Sequence, residues 1–214
     1  MGLAALAAAT AWVWPVVALA ALACAFAAAI RLYEAVSGIA VPGRLTAGVA
    51  LFAGAALIFG ELAGGYERVP ILDLGLHAVS AAALATVGYA LALLPSAGAR
   101  PRTALWILSV LAFGFAMMVG GLWEVMEFGL DSLLGTNTQR SGLPDTMGDM
   151  IANAAGALWG AVACQRSLRT GRAVAPGGLA LDFVTANPVI YGAWRGPLGE
   201  REPGGGLARA DGAL

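Results

Sequence analysis

The sequence predicts an all-α protein, a polytopic membrane bundle of about five transmembrane helices, on three observations. First, 59% of the 214 residues are hydrophobic and only 12% are charged, whereas soluble domains carry about 25% charged residues. So few charges cannot cover the surface of a water-soluble enzyme of this size. Second, the apolar residues form stretches of about 20 residues, the length that a helix needs to cross a bilayer. Third, these stretches are too long for barrel strands, so helices must satisfy the backbone in lipid.

The five predicted spans follow one another with short loops between them. After the fifth span the chain becomes rich in glycine, proline and alanine. Residues 1–172 are therefore predicted to form the transmembrane domain, and residues 173–214 a cytoplasmic tail that is partly disordered. Within the tail, the mildly apolar segment Leu179–Trp194 is suited to lying on the inner membrane surface. The spans are Leu3–Ile30, Leu45–Ala63, Ile71–Leu94, Ala104–Val125 with its end at Glu127, and Thr146–Cys164.

The distribution of arginine predicts the orientation of the bundle. Positive charges concentrate in cytoplasmic loops, so the loops with most arginines face the cytoplasm. This rule places the N-terminus outside and the C-terminus inside the cell. The net charge of −1 offers no basic face for nucleic acid. The predicted outer loops carry Arg68 and Arg140, and the inner loops carry Arg31, Arg44, Arg100, Arg102, Arg166, Arg169 and Arg172.

Small residues at four-residue spacing predict close packing between helices. Gly60 and Gly64 are predicted to share one helix face, as are Ala152, Gly156 and Gly160. Such rows let helix backbones approach closely in lipid. No internal repeat is evident in the sequence, so an inverted-repeat transporter is not predicted.

Acidic residues and the only histidine gather at one level of the predicted bundle. Asp73 and His77 open the third span one helical turn apart. Asp145, Asp149 and Asn153 follow one face of the fifth span at intervals of four residues. Several helices thus offer a polar stripe at the same depth, which predicts a shared pocket that opens toward the periplasm. The other acids at this level are Glu61, near the outer end of the second span, and Glu124, Glu127 and Asp131, which fall within about 60° of one another around the fourth helix.

The charge of this cluster needs a compensating group. Seven acids at one level face only two outer arginines, and a charged side chain at mid-bilayer costs about 2.5–3.5 kcal/mol. Protonation, water or a bound cation must therefore compensate the excess negative charge. Glu124 and Asn153 are predicted to lie deepest and need such a partner most.

Several of these residues also have a plain structural interpretation. Thr146 and Asp149 have the spacing of a capping box, which would tie off the start of the fifth helix. Asp145 is also explained as a turn or cap residue, and Asp73 by the dipole of the helix that it begins. His77 is also explained as a hydrogen-bonded histidine without a metal. Plain interpretations also cover Glu127 and Asp131, as solvated acids at the membrane edge, and Glu61, as the partner of Arg68.

The segment Trp123–Gly160 carries motifs of moderate specificity: W-E-V-M-E-F, L-G-T, L-P-D-T-M-G-D-M and a final G-A-L-W-G. Together with Asp73-x-x-x-His77, this order resembles the YjdF-like family of bacterial inner-membrane proteins. Leu74 and Ala78 stand where that family commonly has a basic and an aromatic residue, so a salt-linked form of this corner is not expected. A fainter similarity, to VanZ-like membrane proteins, is analogy only. The resemblance implies a multi-pass protein of the bacterial cytoplasmic (inner) membrane, with family positions at Asp73, His77, Glu124, Glu127, Thr136, Gln139, Asp145, Thr146 and Asp149.

Three hypotheses of function remain open at the level of sequence. The first is an intramembrane enzyme or binder of a lipid-like envelope molecule that uses a divalent cation such as Mg²⁺ or Mn²⁺. The second is a proton- or cation-coupled carrier, because intramembrane acids beside a histidine can form a relay. The third is a non-catalytic assembly or envelope factor whose polar cluster sets helix register. The sequence contains no serine elbow, P-loop or HExxH motif.

Under the first hypothesis the predicted site has two parts. The first contains the catalytic residues, which are also the predicted cation ligands, and His77 or Glu124 would be the acid and base. The second contains the residues that bind the substrate. The first part consists of His77, Glu124, Glu127 and Asp149, and the second of Asp73, Asp131, Thr136, Gln139, Asp145 and Asn153.

Overall fold

The computed structural model describes residues 13–69, 71–96 and 103–191, and every regular element in these ranges is a helix. The all-α prediction is therefore confirmed for this part of the chain. A π-helical stretch, Gly54–Leu62, continues the second helix, and a 3-10 turn, Leu94–Ser96, follows the fourth. The α-helices are α1 Val13–Ser37, α2 Gly43–Ala53, α3 Gly65–Arg68, α4 Leu72–Leu93, α5 Leu105–Leu134, α6 Leu143–Thr170, α7 Gly178–Ala186 and α8 Pro188–Tyr191.

Three helical segments within the described ranges are long and apolar enough to cross a membrane: Gly43–Gly60, Leu72–Ser96 and Leu105–Leu134. They coincide with the second, third and fourth predicted spans. Part of the first predicted span, residues 3–12, lies outside the described residues. The fifth lies within α6, which is not among the three, because polar residues such as the buried Asp149 and Asn153 lower its mean hydropathy. The number of spans and the orientation stay predictions.

Small residues bring α4, α5 and α6 together. A Cβ atom at Gly156 would meet the backbone of Ala78, and one at Gly160 would meet the backbone of Ala82. The predicted packing row on α6 is confirmed at these two glycines, which let α6 lie directly against α4. The core between the three helices consists largely of alanine: Ala81, Ala85, Ala112, Ala116, Ala157 and Ala161.

The second predicted row, Gly60 with Gly64, is wrong. The π-helical stretch ends at Leu62, and Gly64 lies beyond it with a φ of +65°, a left-handed conformation that favours glycine. Gly60 instead leaves room for the ring of Tyr66, since a Cβ there would lie 2.7 Å from Tyr66 Cζ. The chain therefore turns at Gly64 rather than continuing one helix face.

The segment after α6 packs against the bundle at the end where α4 finishes. The Asn187 side chain donates to the Ala40 carbonyl (2.9 Å) and accepts from the Ala40 amide (2.7 Å). The hydroxyl of Tyr191 donates to the Ala90 carbonyl (2.9 Å), and burial raises the pKa of Tyr191 to about 12, so this hydroxyl stays protonated. Residues 192–214 of the predicted tail lie outside the described residues. The α1–α2 loop, the end of α4 and the α7–α8 segment therefore meet at one end of the molecule.

Candidate functional site

The polar residues lie at the opposite end of the bundle, where α4 and α6 begin. Asp73 lies in the first turn of α4, and His77 follows one turn later. Ala90 lies thirteen positions after His77 on α4, which is about 20 Å along the helix. Glu124 reaches the same place from the second half of α5, and Asp149 from the first half of α6. The site therefore has one wall from each of the three packed helices.

Three carboxylates surround the imidazole of His77. Its Nε2 lies 3.8 Å from Asp73 Oδ1 and 3.8 Å from Asp149 Oδ2, and its Nδ1 lies 3.9 Å from Glu124 Oε1. These separations exceed the 2.7–3.2 Å of N–H···O hydrogen bonds. The side chain of Asp73 is 31% exposed and that of Glu124 only 6%, so the cluster runs from a half-exposed rim to a buried interior.

Asp73, His77 and Asp149 are arranged so that they could hold a metal ion. One ligand atom from each lies within 4.8 Å of the other two. Metal–ligand bonds of about 2.0–2.2 Å place two donors on one ion about 3–4 Å apart. Three protein donors leave coordination positions open, which is typical of catalytic rather than structural sites.

This group differs from the predicted set of cation ligands. Asp73, predicted to bind substrate, lies on the Nε2 side of His77 together with Asp149. Glu124 lies on the Nδ1 side of the ring. Glu127 is half-buried and does not belong to the group whose ligand atoms lie within 4.8 Å of one another. The side chain of Glu61 lies outside the described part of the chain, so its predicted pairing with Arg68 stays a prediction.

The carboxylate of Glu124 and the amide nitrogen of Asn153 are buried without hydrogen-bond partners. Neither carboxylate oxygen of Glu124 makes a hydrogen bond, and the residue is only 5% exposed. The Nδ2 atom of Asn153 also makes none, and that residue is 2% exposed. Leaving such a group unsatisfied costs about 1–3 kcal/mol, and more for a charge. Both groups are therefore available to a ligand.

Asp131 organises the loop that follows α5. Its Oδ1 accepts hydrogen bonds from the hydroxyls of Thr136 (2.6 Å) and Thr138 (2.7 Å) and from the Thr138 amide (2.7 Å). Its Oδ2 accepts from the Gln139 amide (2.8 Å). These contacts connect Asp131 to its own loop rather than to His77.

The loop is joined to the beginning of α6 by two further hydrogen bonds. Gln139 Nε2 donates to the Thr146 hydroxyl (2.6 Å), and the Arg140 amide donates to Asp145 Oδ2 (3.1 Å). Because α6 begins at Leu143, Thr146 lies inside the helix and the predicted capping box of Thr146 and Asp149 is wrong. The helix starts early because proline is favoured in its first turn.

Two residues that support the site were missed at the sequence level. Gly120 lies under Asn153, since a Cβ there would lie 2.7 Å from Asn153 Nδ2. Its position one turn before Glu124 on α5 is the signal that could have identified it. Thr138 donates two hydrogen bonds to Asp131, one from its amide and one from its hydroxyl. The polar run T-N-T-Q after α5 is the sequence signal that could have identified Thr138.

Comparison with known proteins identifies a family. A family model described as a predicted membrane protein (DUF2238) matches residues 1–170, which include all the site residues described above. No curated protein and no solved structure matches the chain. The similarity to VanZ-like proteins stays a prediction.

Proposed function

The chain belongs to the DUF2238 family of predicted membrane proteins, which is the YjdF family that its motifs resemble, and on that premise we propose that it binds a divalent cation at the polar end of its bundle. The cation would in turn hold a lipid-like envelope molecule, for binding or for metal-assisted chemistry. In the proposed orientation this end faces the periplasm from the cytoplasmic membrane. The proposal depends on one observation, the approach of ligand atoms of Asp73, His77 and Asp149 within 4.8 Å.

The donor set favours a particular class of cation. Two carboxylates and one imidazole form a mixed oxygen and nitrogen set without thiolate. Carboxylates suit Mg²⁺ and Mn²⁺, whereas structural zinc prefers cysteine and histidine. Mg²⁺ takes oxygen ligands almost exclusively, so the imidazole of His77 favours Mn²⁺.

The surroundings of the cluster support an amphipathic ligand. Leu74 follows Asp73 on α4 and is 39% exposed. Gly148 of α6 lies beside it, since a Cβ there would be 3.3 Å from Leu74 Cδ2. An apolar side chain therefore flanks the polar cluster at its rim, as expected where a ligand with an apolar body presents a polar group to the site.

The interior of the bundle argues against a carrier. Beyond the polar cluster, the core between α4, α5 and α6 consists largely of buried apolar residues such as Ala81, Ala85 and Ala112. A carrier needs a polar path to the other end. The unpartnered Glu124 argues against a purely structural cluster, because networks that set helix register satisfy their polar atoms.

Metal analysis of the purified full-length protein tests the proposal. After equilibration with Mn²⁺ or Mg²⁺ and removal of free ions, elemental analysis should find a stoichiometric metal, with Mn²⁺ preferred. Asp149→Asn and His77→Gln should lose the metal because each removes one of three ligands. Asp182→Asn should retain it, since Asp182 pairs with Arg44 (3.0 Å) at the other end of the bundle.

The proposal fails if the wild-type protein holds no metal or if both ligand variants keep it. Thermal unfolding of each variant establishes that loss of metal does not follow from loss of fold. Added Mn²⁺ should raise the unfolding temperature of the wild type and of Asp182→Asn, because a ligand that binds only the folded state stabilises it.

A further inference from the structure

We infer that Glu124 and Asn153 form a subsite for a hydroxyl group of a lipid-like ligand. This inference deepens the proposed function and rests on it for the location of the ligand. Its starting point is the pair of buried side chains with unmet hydrogen-bonding capacity: a carboxylate that lacks a donor and an amide nitrogen that lacks an acceptor.

The packing of α5 and α6 places the two groups in one corner of the site. The Asn153 amide lies against α5 at Gly120, one turn before Glu124. On α6, Asn153 lies one turn after Asp149, whose carboxylate faces His77. Since His77 also faces Glu124 at 3.9 Å, the corner adjoins the candidate metal group on its buried side.

The hydrogen-bonding demands of the corner select the chemistry of its occupant. The Glu124 oxygens accept hydrogen bonds and Asn153 Nδ2 donates one. An ammonium group could donate to Glu124 but could not accept from Asn153. A phosphate or carboxylate could accept from Asn153 but could not donate a hydrogen bond to Glu124. A hydroxyl group donates one hydrogen bond and accepts another, so it satisfies both residues.

The body attached to this hydroxyl should be apolar. One turn after Glu124, on the same side of α5, the apolar ring of Phe128 is 61% exposed. Together with Leu74 at the rim, this side chain provides apolar surface outside the buried polar corner. A lipid alcohol matches this division between one hydroxyl and a hydrocarbon body, and water would match the hydroxyl alone.

A pair of probes that differ only in the hydroxyl tests the inference. Dioctanoylglycerol has a free hydroxyl, and its methyl ether replaces that hydrogen with a methyl group. Binding to the detergent-purified full-length protein is measured for both by the change in tryptophan fluorescence. The wild type should bind the alcohol about tenfold more tightly than the ether, the effect of one hydrogen bond to a buried acceptor.

Variants of Asn153 identify the subsite. Asn153→Leu should lose the preference for the alcohol because its side chain has no donor. Asn153→Asp keeps the size of the side chain and should lose the preference too, so the inference stays testable if Asn153→Leu does not fold. Asn137→Leu, at an exposed position in the loop after α5, should retain the preference.

Metal content, measured on the same samples, separates this inference from the proposed function. The Asn153 variants should keep the metal, since Asn153 is outside the candidate ligand group. The wild type could hold no metal and still prefer the alcohol, with Asn153→Leu abolishing that preference. This result would overturn the proposed function and support the subsite. Equal affinity of the wild type for alcohol and ether, as expected if only water enters the corner, would overturn the subsite. So would a preference that survives in both Asn153 variants.

Discussion

Gly120 determines where the Asn153 amide can lie. Both Gly120 and its neighbour Gly121 are inside α5, so alanine at either position gains about 1 kcal/mol of helix propensity. Only at Gly120 would the new Cβ overlap Asn153, at 2.7 Å from Nδ2, whereas nothing lies within 4 Å of a Cβ at Gly121. The comparison of the two variants therefore isolates the contact with Asn153.

We expect Gly120→Ala to be less stable than Gly121→Ala by about 1–3 kcal/mol, the usual cost of overpacking. The measurement is equilibrium unfolding of the purified protein in mixed micelles. Equal stability of the two variants would show that Asn153 moves away freely, and the placement of its amide against α5 would then be wrong.

The residues of the site differ in how far the sequence determines their partners. Helical periodicity predicts that His77, Glu124 and Asp149 come together, because each lies on a polar stripe at the same level of its helix. Periodicity does not determine that Asp73 and Asp149 share the Nε2 side of His77 while Glu124 lies on the other. That arrangement depends on the rotation of three helices against one another, which tertiary contacts set.

At the scale of elements, the close contact of α4 with α6 sets this rotation. A Cβ at Gly156 would meet the carbonyl group of Ala78, one residue after His77, and a backbone group cannot rotate away as a side chain can. Gly148, also on α6, has only the terminal Cδ2 of Leu74 nearby, at 3.3 Å. The two glycines therefore differ in whether the neighbouring atoms can move away from an added Cβ: the Leu74 side chain can, and the Ala78 backbone cannot.

We expect Gly156→Ala to lower the free energy of unfolding by about 3 kcal/mol, near the upper end for overpacked sites. Gly148→Ala should change it by less than about 1 kcal/mol, because the Leu74 side chain can adjust. Equilibrium unfolding in micelles measures both. If Gly156→Ala were as stable as Gly148→Ala, the helices would not be in contact at Ala78.

Helix limits were less predictable than helix existence. The apolar stretches predict α4 and α5 because length and hydropathy suffice for them. The sequence predicts that the fifth span begins at Thr146, whereas α6 begins at Leu143, since Pro144 occupies the first turn and Gly142 precedes the helix with a φ of +67°. Composition alone did not indicate that α7 packs against the bundle, because Ala180 and Val184 are buried by contacts between distant segments.

At the scale of the whole molecule, the acids of the candidate site lie at the end opposite to Arg44 and Arg169. The candidate site lies where α4 and α6 begin. Arg44 lies at the other end, where it pairs with Asp182 of α7, and Arg169 lies in the last turn of α6. This separation agrees with the positive-inside rule if the site faces the periplasm. It also requires α6 to cross the membrane, although α6 is less apolar than α4 and α5.

Cysteine labelling tests both the orientation and the crossing of α6. Asn137 and Ala173 are exposed and lie beyond opposite ends of α6. In a background with Cys24→Ala and Cys164→Ala, Asn137→Cys should react with a membrane-impermeant maleimide in intact spheroplasts. Ala173→Cys should react only after permeabilisation, because the bilayer separates it from the reagent. The reverse pattern would invert the molecule and place the candidate site in the cytoplasm, and equal labelling of both positions would show that α6 does not span the membrane.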